Sequence, residues 1–379
     1  MANAFSISEL RDKHPARQSP RWHPKGGDRM SQRWYLRTNL LQAASSLVLM
    51  ASSTLTSLGA DVEPSGYVKA LTIKTTHSSA QVAFSCDGKR IASGHGKSTS
   101  GMDVRVVLWN AQTGEQLLTL ANQRPVSCID FSPDGTSMAT GDDKGTLEIW
   151  NVHTGKRSFA LDRHTGQDSI HQIDFDNDGK RIVCCGRRNL VIWDLQTRKE
   201  LLVLPTRTPT RRVCFSPDGQ YIAHPFRSYG VDLRNAENGA ILRRFRSSPR
   251  RPALALAFSP NGQRLACGGP GADSESLKVL DVETMQDTHA IRNKNKKVIH
   301  AVAYSPDGAY IFSGGYDKVV TIRDANTGQV VDVLDGHELP ERFAKIRFIG
   351  LSEDGQRMVS AGGDTIIVWK QDARGADGN

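Results

Sequence analysis

The chain has 379 residues, 38% of them hydrophobic, and a formal net charge of +9. That length holds two ordinary domains or one large all-β domain, and the apolar fraction excludes a protein made chiefly of membrane spans. The charge is uneven: residues 1–60 carry eight Lys/Arg against three Asp/Glu, while the remaining 319 carry 41 against 37. The folded part is therefore nearly neutral, and any basic patch on it is local.

The chain opens with a leader-like region. Met30 is followed by Arg33 and Arg37 and then by LLQAASSLVLMASSTLTSLGA, with no acidic residue between Met30 and Asp61. A basic start, an apolar stretch densest over Leu40–Ala51 and small residues at Ser57, Gly59 and Ala60 fit a secretory signal peptide. The run is too short and too rich in Ser and Thr for a good membrane span. Residues 1–60 are expected to be a leader, with the signal within 30–60 and residues 1–29 an extension upstream of a start at Met30. Export to the periplasm or the medium follows. The alternatives are an Arg/Ser-rich leader on a cytoplasmic protein and an organelle transit peptide.

From residue 66 onward one unit recurs. VAFSCDGKRIASG starts at Val82, IDFSPDGTSMATG at Ile129, IDFDNDGKRIVCCG at Ile173 and VCFSPDGQYIAH at Val213. LAFSPNGQRLACGG follows at Leu256, VAYSPDGAYIFSGG at Val302 and IGLSEDGQRMVSAGG at Ile349. The equivalent residues Phe84, Phe131, Phe175, Phe215, Phe258, Tyr304 and Leu351 are spaced by 47, 44, 40, 43, 46 and 47. Each copy reads as four short strands. Alternating apolar residues lead into Asp-Gly or Asn-Gly, which accepts the positive φ of a tight hairpin. A second run, a Gly-rich loop, a third run such as TLEIWN, a polar turn and a fourth run such as EQLLTL follow. Four antiparallel strands per repeat of this length make a propeller blade. The expected fold is all-β, a seven-bladed propeller over residues 61–379 with its core at about 66–371.

The units resemble WD repeats, with the Trp-Asp or Trp-Asn step at Trp109-Asn110, Trp150-Asn151 and Trp193-Asp194 and, as Trp-Lys, at Trp369-Lys370. The Trp position holds Arg234, Leu280 and Arg323 in blades four, five and six, and the Gly-His step is plain only at Gly336-His337. The turn aspartate six residues before the Trp position matches Asp103 and Asp317, with Lys144, Arg187, Ser228, Ser274 and Gly363 elsewhere. The His–Ser–Asp–Trp brace that the resemblance implies is therefore expected to be mostly missing. The last repeat stops after its third strand at TIIVWKQD, while Ile73 lies 11 residues before Phe84, as Leu120 lies 11 before Phe131. The strand at Tyr67–Thr75 is thus expected to complete blade seven and close the ring, removing a sheet edge.

Basic residues concentrate in the links between blades. The stretch RRFRSSPRRP, Arg243 to Pro252, reads as the link from blade four to blade five. Its Arg243, Arg244, Arg246, Arg250 and Arg251 join Arg207, Arg211 and Arg212 in the preceding link and Arg292, Lys294, Lys296 and Lys297 in the following one. Arg187, Arg188 and Arg227 fall in second–third loops on the same side. In a meander, links and second–third loops share one face, so a positive arc over about four blades is expected there. Arginine forks suit carboxylate and phosphate, which points to an acidic protein partner or an anionic polymer. Nucleic acid is disfavoured, because aromatic stacking residues are scarce in these loops.

Motifs for catalysis are weak. GHGKSTSG, Gly94 to Gly101, lacks the first glycine of a phosphate-binding loop, since that place is Ile91, and no helix pattern follows. The eleven histidines show no paired metal spacing, and no Gly-x-Ser-x-Gly elbow occurs. Asp142 and Asp143 read as turn residues. Cys128, Cys184, Cys185, Cys214 and Cys267 lie in apolar runs, Cys86 lies beside a turn, and no Cys-x-x-Cys occurs. They are expected to be reduced thiols acting as small hydrophobes, which counts mildly against an oxidising compartment. No cofactor is expected. The expected function is a non-catalytic scaffold that binds protein partners, and the alternative is a propeller hydrolase or lactonase with a channel site.

Overall fold

The computed structural model describes residues 66–75, 81–94, 105–122, 124–162, 169–206, 209–226, 230–246, 253–270, 276–291, 297–338 and 345–372. The leader, Asp103 and seven of the basic residues (Arg207, Arg227, Arg250, Arg251, Arg292, Lys294 and Lys296) lie outside them. The described residues contain strands and turns but no helix, and so no helix long and apolar enough to cross a membrane.

The strands form seven four-stranded antiparallel sheets, arranged as the blades of a β-propeller. Ahead of the first blade comes β1 (Tyr67–Lys74). Blade one is β2 (Gln81–Phe84), β3 (Arg90–Gly94), β4 (Arg105–Asn110) and β5 (Gln116–Ala121). Blade two is β6 (Val126–Phe131), β7 (Ser137–Asp142), β8 (Thr146–Asn151) and β9 (Arg157–Asp162). Blade three is β10 (Gln172–Phe175), β11 (Arg181–Cys185), β12 (Asn189–Asp194) and β13 (Lys199–Pro205). Blade four is β14 (Cys214–Phe215), β15 (Tyr221–Phe226), β16 (Gly230–Asn235) and β17 (Ile241–Arg246). Blade five is β18 (Ala255–Phe258), β19 (Arg264–Gly268), β20 (Leu277–Asp281) and β21 (Asp287–Ile291). Blade six is β22 (Ile299–Tyr304), β23 (Tyr310–Gly315), β24 (Val320–Asp324) and β25 (Val330–Leu334). Blade seven is β26 (Ile346–Leu351), β27 (Arg357–Gly362) and β28 (Thr365–Gln371). Its fourth, outer strand is β1, in register from Tyr67 opposite Gln371 to Lys74 opposite Thr365.

The first strand of each blade touches the first strand of the next, so these strands form the inner ring. The core lies between blades. One cluster joins Ile149 and Leu161 of blade two to Ile182 and Trp193 of blade three; another joins Ile366 and Val368 of blade seven to Phe84 and Ile91 of blade one. The second and third strands bury one face against the preceding blade and the other against the following one, whereas the outer strands are largely exposed. That is why the second and third strands read as continuous apolar runs.

The recurrent Ser-Pro-Asp-Gly is a turn that carries its own hydrogen bonds. In blade two Ser132 Oγ donates to Asp134 Oδ1 at 2.6 Å and accepts the Ser137 N–H at 2.9 Å, while Asp134 Oδ1 accepts the Thr136 N–H at 3.0 Å. Gly135 sits at φ 66°, where a side chain is disfavoured. Blade three replaces the serine with Asp176, which accepts from the Arg181 N–H and Nε instead. The residue after the Trp position has an equally local role. Asn110 Oδ1 accepts the Gln112 and Thr113 N–H groups at 2.8 and 3.1 Å, and Asn151, Asp194, Asn235, Asp281 and Asp324 cap the same turn. Blade seven has no third–fourth turn to cap, which explains why Lys370 is tolerated there.

The brace survives in parts. In blade seven His337 Nε2 and Trp369 Nε1 both meet Ser360 Oγ at 2.7 Å, with Gly363 at the aspartate position. Trp109 donates to Ser93 Oγ at 2.8 Å and Trp150 to Thr140 Oγ1 at 2.9 Å. In blade six Asp317 Oδ1 and Arg323 Nε are both buried without a hydrogen-bond partner.

Candidate binding surface

The starts of the inner strands lie at one end of the ring. Three inner strands carry a β-bulge at that end, where the register skips Ser127, His300 and Arg347. A bulge re-aims one side chain at a rim while the ladder continues beyond it. Burial, with Lys345, Arg212 and Arg347 next in order, pushes the His300 imidazole down to about 4, so the ring is neutral near pH 7. The exposed Tyr316 packs edge-on against His300 with centroids 5.2 Å apart, and Lys345 Nζ lies 5.3 Å from the Tyr316 ring centre. Arg347 and Arg211 are exposed. Arg211 and Arg347 both act electrostatically on Arg212. Basic side chains and the exposed Tyr316 thus gather at this end of the ring, on blades four, six and seven.

The predicted basic residues do not all share that surface. Arg212 is a structural tie. Its guanidinium donates to Leu254 O at 2.6 Å, Gln172 Oε1 at 2.7 Å and His300 O at 3.4 Å, linking blades three, five and six across the inner ring. Arg243, Arg244 and Arg246 are not in a link but in the outer strand β17. Alternation along that strand sends neighbouring side chains to opposite sides. Arg243 Nε reaches Glu283 O of blade five at 2.9 Å, and Arg244 turns inward to Asp232. Arg246 is exposed at the strand end, and Lys297 is exposed beside Asp317. The serines and prolines that mark a link begin only at Ser247, so the link starts after Arg246 and not at Arg243.

Blade four holds a second polar cluster, on the side facing blade three. Asp232 is fully buried, and Arg244 grips it through Nε–Oδ1 at 2.6 Å and Nη2–Oδ2 at 2.9 Å. The same guanidinium lies 3.6 Å from the Phe226 ring centre. Arg234, at the Trp position, donates from Nε to His224 Nε2 at 2.9 Å and from Nη1 to Gly239 O at 2.8 Å. His224 donates from Nδ1 to Pro225 O at 3.0 Å, and burial pushes its imidazole down to about 4. The histidine occupies the place of Ser93, Thr140 and Ser360, so the arginine–histidine pair substitutes for a Trp–hydroxyl bond.

Two carboxylates of the inner strands make no ion pair among the described residues. Asp130 accepts the Phe131 and Phe175 N–H groups, and Asp174 accepts the Phe215 N–H at 2.7 Å. Each thus pins one inner strand to the next. Burial pushes Asp130 up to about 7 and Asp174 well above the usual carboxylate range. Among the described residues no group of three or more His, Cys, Asp or Glu could hold a metal ion. All six cysteines are free thiols, four buried and two half-buried.

Three segments match the family described as WD domain, G-beta repeat: residues 114–151, 155–194 and 286–324. Each begins ahead of the outer strand of one blade and ends with the third strand of the next, so the sequence repeat is offset from the blade by one strand. The chain is 26% identical over 267 residues to Protein tipD of Dictyostelium discoideum, covering 67% of this chain and 40% of that protein. It is 24% identical to the serine-threonine kinase receptor-associated protein of Gallus gallus, covering 61% and 64%. It is also 24% identical to a guanine nucleotide-binding protein subunit beta of Oryza sativa subsp. indica, covering 72% and 76%. The matched region thus spans less than two thirds of the first two of these relatives. With seven four-stranded blades already in place, these matches show three WD40 repeats in the chain, at residues 114–151, 155–194 and 286–324, and a likeness to WD-repeat proteins beyond them.

Proposed function

We propose that the protein is a non-catalytic scaffold whose channel-mouth rim docks an acidic segment of a protein partner. The observation that carries this reading is the convergence of Arg211, His300, Tyr316, Lys345 and Arg347 at one end of the ring. An exposed aromatic set among arginines and lysines has the composition of an interface hot spot. Two of the relatives are named for association with other proteins, one receptor-associated and one a subunit. The inner-ring carboxylates do not favour a hydrolase, because both are engaged as acceptors for strand N–H groups. A positively charged outer extension through Arg207, Arg250, Arg251, Arg292, Lys294, Lys296 and Lys297 belongs to the same proposal on sequence grounds.

The test is binding of a fluorescent oligo-glutamate peptide and capture of partners from native extract, with wild type and a Lys345→Glu/Arg347→Glu variant. Peptide affinity should fall by about tenfold or more, because like charges brought together at an interface cost several kcal/mol. Melting should be unchanged, and raised salt should weaken wild-type binding as screening shortens. Equal binding by the variant would remove the rim from the proposal. Export is proposed from the sequence alone, and mass spectrometry of the native N-terminus tests it. A start between about Ala51 and Asp61 supports cleavage, whereas an intact chain from Met1 in the cytoplasm refutes it.

A further inference from the structure

We infer that the cavity between blades three and four binds a small tetrahedral oxyanion of the phosphate type, at a site separate from the channel mouth. The cavity measures about 370 Å³, and its lining includes Thr206, His224, Phe226, Asp232, Arg234 and Arg244. Two guanidinium groups face one carboxylate. With His224 neutral, the pocket keeps an excess positive charge.

The donor inventory points the same way. A guanidinium has five N–H groups and no acceptor, and a hydroxyl can donate one. Arg244 spends Nε and Nη2 on Asp232; among the described residues its Nη1 makes no hydrogen bond. Arg234 spends Nε and Nη1 on His224 and Gly239. Its Nη2 lies 4.0 Å from Asp232, beyond hydrogen-bond reach. Thr206 Oγ1 is buried and has no partner, a state that ordinarily costs free energy unless something fills it. Three unspent donors on three side chains, contributed from two blades, thus border one cavity. Asp232, the only carboxylate among the described lining residues, is already held bidentately and buried. A planar carboxylate ligand is best met by one fork, whereas donors arriving from three side chains suit an oxyanion with several oxygens out of plane. Arg244 is held in place by Asp232 below and the Phe226 ring beside it, so its free edge is preorganised.

The pocket also accounts for the departure from the repeat at this blade. In blades one, two and seven the same place is filled by an indole bonded to a hydroxyl, as at Trp150 and Thr140. Here Arg234 and His224 leave space open.

The experiment is calorimetric titration of the full chain with sodium phosphate, sulfate, phosphoserine and acetate at constant ionic strength. Saturable phosphate binding is expected, with acetate weaker by about tenfold. Phosphoserine binding as tightly would extend the site to phosphomonoesters, and its exclusion would assign the site to free phosphate; either supports the inference. Thr206→Val removes an unpartnered hydroxyl, so it should leave melting unchanged while weakening phosphate about tenfold, the worth of one hydrogen bond to a charged group. Arg234→Met should abolish binding. The Lys345→Glu/Arg347→Glu variant should bind phosphate as wild type does. The inference is overturned by no saturable phosphate binding in wild type, by equal affinity for acetate, by undiminished binding in Thr206→Val, or by loss of binding in the channel-mouth variant.

Discussion

Arg244 and Asp232 face each other across adjacent strands of blade four, joined by two hydrogen bonds of 2.6 and 2.9 Å, with the carboxylate fully buried. Removing one partner of such a pair leaves a buried charge uncompensated. Arg244→Glu should therefore destabilise the protein by about 3 kcal/mol or more. Arg246→Glu, at the exposed end of the same strand, should stay within about 0.5 kcal/mol of wild type. Urea denaturation of the two variants checks this, and equal midpoints would show that Asp232 is compensated some other way.

Asp174 predicts a pH signature. Its carboxyl is held well above the usual range by burial first and by the Asp130 charge second. A raised carboxylate pKa means that the folded state binds the proton more tightly than the unfolded chain. Stability from this group is thus full at low pH and declines as pH rises above about 4. Asp174→Asn keeps an acceptor for the Phe215 N–H and loses the ionisation. The stability difference between variant and wild type should then grow in the variant's favour from pH 4 toward neutrality. His224, His300 and His337, all pushed down to about 4, act in the opposite sense in both proteins and cancel in the difference. A difference that is flat with pH would mean that Asp174 titrates normally.

The blade-seven brace gives a third expectation. Ser360 Oγ serves both Trp369 Nε1 and His337 Nε2, and all three residues are buried. Ser360→Ala strands a buried indole N–H and an imidazole nitrogen at once. A loss of about 2 kcal/mol is expected. Ser93→Ala, which serves only Trp109, should cost less. Thermal or urea unfolding ranks the two, and the reverse order would remove the brace from the stability of this blade.

The blades were legible in the sequence because their turns are local. Ser132, Asp134 and Gly135 complete a hydrogen-bonded hairpin within six residues, and the same spacing returns in the other blades. The strand partner of Tyr67–Lys74 was legible too, since only blade seven lacked an outer strand. The site was less so. Which residue bulges depends on pairing between strands, so Arg347 and His300 carry no mark in the sequence. Arg243 and Arg244 stand side by side in the chain yet serve different neighbours, because the strand period sends them to opposite sides. Arg212 looks like any basic loop residue, and only the ring geometry brings Gln172, Leu254 and His300 within its reach. One signal was available. Arg at the Trp position of blade four, with His224 where other blades carry a hydroxyl, marked this blade as different.

The last prediction concerns β1. It pairs with β28 from Tyr67 to Lys74, and its inward residues enter the core: Ile73 is 5% exposed, and Tyr67 meets Phe312 of blade six edge-on at 5.7 Å. Deleting residues 61–75 would uncover the outer edge of β28, a row of unpaired backbone donors and acceptors beside the apolar Ile366, Ile367 and Val368. Such an edge invites pairing between chains. The truncated protein should melt well below wild type and form aggregates in a concentration-dependent way. A synthetic peptide of residues 61–75, added in excess, should recover part of the loss, because ligands that bind only the folded state raise its stability. If β1 is what closes the ring, peptide rescue should also restore the inter-blade contacts of blades seven and one, read by hydrogen exchange at Glu353, whose N–H is donated to Cys86 O at 2.8 Å. A monomeric truncation with an unchanged melting temperature would show that the ring closes without this strand.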